Sequence, residues 1–133
     1  MKYRNPKPTV DAVILDRDSI ILIKRKKFPF KNYWALPGGF IEYNEKAEDA
    51  VVREVKEETG LKIKIKRLIG VYSDPKRDPR GHTISTVYLC KIVGGKLKEG
   101  YDATEVGKFK IKKMPGLAFD HRKIINDAIR LAF

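Results

Sequence analysis

The chain has one cysteine, Cys90, no glutamine and few asparagines, and no apolar stretch approaching the roughly 20 residues that cross a bilayer. A single cysteine excludes an internal disulfide. The apolar run from Val87 to Val93 around Cys90 makes it a buried structural thiol. Met1 to Thr9 carries charge and prolines but no apolar core of a signal peptide, so a cytoplasmic location with no membrane partner is expected. No internal repeat, low-complexity tract or long linker divides the sequence, and a chain of 133 residues, 1–133, fits one domain. A lysine- and glutamate-rich, amide-poor composition is also the pattern of hot-adapted proteins.

What is abundant is positive charge. The net charge of +12 favours an anionic partner, because excess lysine and arginine concentrate phosphates near the surface. Nucleic acid and a small phosphorylated molecule both satisfy that. Many of the lysines, among them Lys62, Lys64, Lys66, Lys110 and Lys112, alternate with other residues as on solvated strand faces, and no basic–aromatic surface motif supports nucleic acid.

Along the chain, Val10–Leu15 and Ile20–Ile23 flank Asp16-Arg17-Asp18-Ser19 as a hairpin. Pro37-Gly38-Gly39 is expected to leave regular structure. Asn44 is the expected N-cap and Gly60 the C′ residue of a helix over about 45–59. Further strands are expected at Ile63–Tyr72, Thr83–Val93 and Glu105–Ile111. Asp120 caps a last helix whose Ile124, Ile125, Ala128 and Ile129 share a face. This order indicates an α+β fold or αβα sandwich.

The first helix carries a conflict. At about 100° per residue, Ala47, Ala50, Val51 and Val55 define the inward arc, and Glu54 and Glu58 fall inside it with Glu57 alongside. Glu54–Glu57 and Glu54–Glu58 are like-charge neighbours, and the last two glutamates lie near the negative end of the helix dipole. Unit charges about 4 Å apart repel by roughly 4 kcal/mol at an effective dielectric near 20. Either the face is a solvated acidic one or a cation compensates. Mg²⁺, a hard ion that takes carboxylate oxygens and substrate phosphate, is the natural candidate.

The same residues resemble a known motif. From Gly39 to Leu61 the sequence matches the Nudix box, G-x5-E-x7-R-E-U-x-E-E-x-G-U with U aliphatic, at Gly39, Glu45, Arg53, Glu54, Val55, Glu57, Glu58, Gly60 and Leu61. The resemblance implies a Nudix-type αβα sandwich with a mixed central sheet and a divalent-metal-dependent pyrophosphatase. It implies Glu54, Glu57, Glu58 and the Gly39 carbonyl as metal ligands, Arg53 as the residue that orients them, and Glu45 in the supporting loop. Mg²⁺ is the cofactor implied, with Mn²⁺ as substitute, and a homodimer is the family-level expectation. The residue that takes the proton of the attacking water stays open between Glu57, Asp102 and Glu105.

Outside the box, the loop from Tyr72 to His82, with Pro75 and Pro79, resembles that of ADP-ribose pyrophosphatases. Pro75, Arg77, Arg80 and His82 are its candidate substrate contacts, joined by Arg25 for phosphate and by Trp34 for adenine, with core packing as the competing role for Trp34. His121 is either a rim residue or a helix-start residue. The implied reaction is hydrolysis of ADP-ribose to AMP and ribose 5-phosphate. The alternatives are a housecleaning (di)nucleoside polyphosphate pyrophosphohydrolase and a non-enzymatic nucleotide-sugar sensor, the latter disfavoured by a complete box.

Overall fold

The computed structural model describes residues 3–98 and 105–132. β1 (Lys7–Asp16) and β2 (Ser19–Lys24) form the expected hairpin, followed by the short β3 (Trp34–Ala35) and β4 (Gly38–Phe40). Then come α1 (Ala47–Thr59), β5 (Leu61–Tyr72), β6 (Thr83–Gly95), β7 (Glu105–Lys110), a 3₁₀ turn at Ile111–Lys113 and α2 (His121–Ala132). The sheet runs β3-β2-β1-β6-β5, with β4 added to β1 and β7 to β2. β1 and β6 are parallel and the other pairs antiparallel, so the sheet is mixed.

The alternation of β1 distributes its side chains between two cores. Val10, Ala12 and Ile14 pack with Ala50, Val51 and Val55 of α1. Val13 packs with Ile20, Leu22, Val87 and Leu89 against Ile124, Ile125 and Ala128 of α2. The helices therefore cover opposite faces of one sheet, an α+β sandwich. Both Lys62 and Lys64 are exposed while Ile63 is buried, as the lysine alternation predicts.

Two expectations are corrected. Gly38 and Gly39 do not leave regular structure: they pair with Asp11 and Val10 of β1. Glycine is what allows it, since a Cβ on Gly38 would lie 2.1 Å from the Val10 carbonyl oxygen. The helix starts at Ala47, and the residue before it, Lys46, makes no side-chain cap. Asn44 instead turns the preceding loop with φ 66°, and Glu45 is drawn away to Arg53. Gly60 ends α1 as expected, with φ 80° and its N–H on the Lys56 carbonyl.

β1 is shared unequally along its length. Thr9–Asp11 pair with β4, whereas Leu15 and Asp16 pair with β2. The sheet divides between these two segments, and the ends of β2, β3 and β4 line a cleft there.

Candidate active site

The cleft encloses about 200 Å³ and is lined by Gly38, Gly39 and Glu58 of the box region on one side and by Arg25, Arg80, Phe119 and His121 on the other. Of the α1 glutamates Glu58 lines it, and Glu54 lies behind Gly39. Glu54 and Glu58 are half-buried beside Val51 and Val55, and Glu57 is more exposed. Glu58 Oε1 accepts the Gly38 N–H at 2.7 Å. A Cβ on Gly39 would meet the Glu54 carboxyl carbon at 2.5 Å, so the backbone of β4 lies directly against that carboxylate.

Arg53 organises the box. Its Nε and Nη2 donate to the two Glu45 carboxylate oxygens at 2.7 and 2.9 Å. Nη1 donates to Glu54 at 2.8 Å and to Glu57 at 3.4 Å, and Nη2 also reaches the Phe40 carbonyl at 3.1 Å. These bonds hold Glu45 down to about 2, chiefly through the Arg53 guanidinium. By folding back on the loop, Arg53 becomes the acidic group's central donor.

Arg53 does not neutralise the inner carboxylates. Burial pushes Glu58 up to about 8, and the negative charges of Glu54, Asp11 and Glu57 add to the rise against the opposing Gly38 N–H. Glu54 is also raised, first by burial. Among the described residues no three carboxylate, imidazole or thiol groups already meet at coordinating distance, because Arg53 and the Gly38 N–H hold Glu54 and Glu58. The donor set is all oxygen with surplus negative charge, which suits a hard divalent cation.

Asp11 was not singled out from the sequence. It lies buried in β1, accepts a hydrogen bond of 2.5 Å from Ser85 Oγ, and lines the cleft. Burial pushes it up to about 7 against the opposing Ser85 bond. One sign was available: Asp11 is the only charged residue inside the apolar Val10–Leu15 run. Phe119 was also missed. Its ring lies 4.8 Å from the Arg25 guanidinium and 5.6 Å from that of Arg80, so two cations and an aromatic face converge opposite the box.

The expected substrate contacts separate. Arg25 and Arg80 line the cleft. Arg25 Nε donates to the Pro29 carbonyl at 2.7 Å, and Arg80 pairs with Asp78 at 2.8 Å. Arg77 also lines it, but its guanidinium grips Asp120 in a two-pronged contact at 2.9 and 2.7 Å and donates to Thr83, so it ties the loop to α2. His82 hydrogen-bonds the Ser73 carbonyl and faces a neighbouring cavity. Pro75 and Trp34 are not among the lining residues; Pro75 is exposed, and Trp34 packs edge-on to Phe109 at 4.7 Å in the α2-side core. Glu105 pairs with Lys24 and Lys26 at 3.7 and 3.5 Å and is not among the cleft-lining residues. Asp102 lies outside the described residues. His121 proves to be both rim and helix start: it opens α2, and its buried Nδ1 accepts the Leu36 N–H at 3.0 Å. Burial pulls it down to about 3, leaving it neutral.

Comparison with known proteins agrees with this geometry. An ADP-ribose pyrophosphatase of Methanocaldococcus jannaschii is 56% identical over 128 residues, 96% of this chain and 76% of that one. A bifunctional NMN adenylyltransferase/ADP-ribose pyrophosphatase of Francisella tularensis, solved with AMP and a manganese ion, superposes with TM-score 0.88 at 28% identity, over 100% of this chain and 44% of its own. The NUDIX domain of Shewanella oneidensis NrtR, solved with ADP-ribose, superposes with TM-score 0.83 at 27% identity, over 98% and 91% of the two chains. The model of the NUDIX domain matches residues 5–128, spanning the box, the dividing sheet and most of α2, and the chain belongs to the NUDIX family.

Proposed function

We propose that the protein is an ADP-ribose pyrophosphatase that hydrolyses the phosphoanhydride of ADP-ribose to AMP and ribose 5-phosphate, with the whole chain acting as one Nudix domain. The observation that carries this is the opposition across one cleft of the α1 carboxylate Glu58, with Glu54 behind Gly39, and paired arginines flanking Phe119. The 56% identical archaeal relative bears the same activity in its name.

Glu54, Glu57, Glu58 and the Gly39 carbonyl hold the divalent cation, Mg²⁺ with Mn²⁺ as substitute. When bound, that cation supplies charge neutralisation of the diphosphate and a more acidic water. Arg53 fixes the Glu54 carboxylate while Glu45 anchors Arg53 to the loop. Gly38 orients Glu58 through its N–H. Arg25 and Arg80 bind phosphate from the opposite wall, and the Phe119 ring they flank gives an apolar face for the base or ribose. Arg77 positions that wall through Asp120. Glu57, exposed and adjacent to the cluster, is the box residue best placed to take the proton of the attacking water. Cytoplasmic location and a homodimer complete the reading.

NrtR-like relatives, one of them the ADPR responsive transcriptional repressor of Acinetobacter baylyi at 30% identity, make ligand sensing the second reading. A panel of nucleotides incubated with Mg²⁺ in ¹⁸O-water and read by mass spectrometry separates them. Fast formation of AMP and ribose 5-phosphate from ADP-ribose, well ahead of dinucleotides and triphosphates, is the expected result. Tight ADP-ribose binding without cleavage would transfer the assignment to a sensor.

A further inference from the structure

The cleft at the box is small for the ligand it must take. At about 200 Å³ it falls below the roughly 300–1,000 Å³ typical of small-molecule sites. A second cavity of about 600 Å³ lies next to it. The two share Phe40, Asp78, Arg80 and Thr83 as lining residues, so the second lies directly beside the first.

The outer cavity is cationic. Arg4 and Lys7 line it from the N-terminal segment, and Arg80 and His82 from the loop before β6. The one acid in its lining, Asp78, is almost fully buried and already taken: Arg80 donates to it from Nε at 3.1 Å, from Nη2 at 2.8 Å and from its backbone N–H at 2.9 Å. Among the described residues Arg4 and Lys7 have no acidic partner, and Lys7 Nζ rests over the Phe40 ring at 5.9 Å. His82 gives its Nε2 proton to the Ser73 carbonyl, which can only accept, so its Nδ1 remains for another partner. Unpaired cations in a concave lobe next to a diphosphate site raise the local potential toward an anion.

We propose that this outer lobe is a second anion subsite, built for a phosphate monoester carried on the substrate beyond the diphosphate that is cleaved. It rests on the reading of the inner cleft as a nucleoside diphosphate site. Arg4 and Lys7 act as specificity residues: they hold the distant phosphate and touch none of the reacting atoms.

The test compares ADP-ribose, ADP-ribose 2′-phosphate and ADP-ribose 1″-phosphate on the wild type, on Arg4→Ala/Lys7→Ala, and on Lys7→Arg. One phosphorylated compound is expected to show kcat/KM about tenfold above ADP-ribose through a lower KM, as one or two solvent-exposed charge contacts give. That advantage falls to near parity in the double variant while the ADP-ribose rate is unchanged. It survives in Lys7→Arg and shrinks as salt is added. Equal KM for all three compounds in the wild type overturns the proposal, and so does an advantage that persists in the double variant. A double variant that slows ADP-ribose equally overturns it too, because the lobe would then only shape the cleft. If none of the three is hydrolysed, the assigned activity fails by itself. Calorimetric binding of the same compounds then decides: tighter binding of a phosphorylated one that depends on Arg4 and Lys7 supports the subsite, and equal affinities remove it.

Discussion

At the scale of single residues, the site is a set of groups held in unfavourable places for a purpose. Glu58 is a desolvated carboxyl group whose one protein donor among the described residues is the Gly38 N–H. Glu58→Gln keeps an acceptor for that N–H and removes the group that must ionise to bind a cation. The metal-free melting temperature is therefore expected to stay level or rise, while ADP-ribose turnover falls by about 10²–10³-fold, the usual loss for one preorganised electrostatic group. Calorimetry beside steady-state kinetics checks both halves. His121 gives a pH signature. Burial lowers it in the folded state to about 3, so the unfolded chain binds the extra proton first. Its contribution is present in full above about pH 6.5, the unfolded value, and is lost as pH falls toward 3. Asn at this position can still accept the Leu36 N–H, so His121→Asn should flatten the acid limb of the unfolding free energy by up to about 1.4 kcal/mol per pH unit. Denaturant melts from neutral to acid pH measure it, and an unchanged slope contradicts the buried neutral imidazole.

At the scale of elements, adjacent glycines of β4 have separable duties. A Cβ on Gly38 would strike the backbone oxygen of Val10 at 2.1 Å, which cannot yield without moving β1. On Gly39 it would meet the movable end of Glu54. Gly38→Ala should thus cost stability, about 1–3 kcal/mol as for overpacking, while Gly39→Ala should mainly cost activity by displacing a carboxylate. Thermal melts set against kcat distinguish them. The loop before β6 divides in the same way. Arg77 is nearly buried on Asp120, so Arg77→Ala should destabilise by roughly 3 kcal/mol. Arg80 is exposed over nearly half its side chain but is the charge partner of the buried Asp78, so Arg80→Ala should raise KM as well as lower the melting temperature.

These elements also show what could be read from the chain alone. The box was legible because its glutamates and arginine lie within one helix and the loop before it, where spacing fixes geometry. β4 was not, because three residues containing two glycines carry no strand pattern, and only the approach of β1 makes them one. The helix start was set two residues early because Glu45 answers to Arg53, eight residues on, rather than to the helix dipole. Asp11 was hidden in an apolar run because its partner Ser85 is 74 residues away. Trp34 and Arg77 were natural substrate candidates by residue type, and both are claimed by partners distant in sequence, Phe109 and Asp120.

At the scale of the molecule, two helices cover one mixed sheet, and the cleft opens where β1 passes from β4 to β2. The +12 charge and the acidic cluster are complementary: Arg25 and Arg80 line the cleft opposite Glu58. The central claim is that Glu54, Glu57 and Glu58 are tolerated together because a divalent cation binds them. It is tested most directly by following the melting temperature as Mg²⁺ is added to the metal-free wild type and to Glu57→Gln. A saturable rise of several degrees in the wild type, largely absent from the variant, is the result expected. A flat response in both proteins at millimolar Mg²⁺ would contradict it.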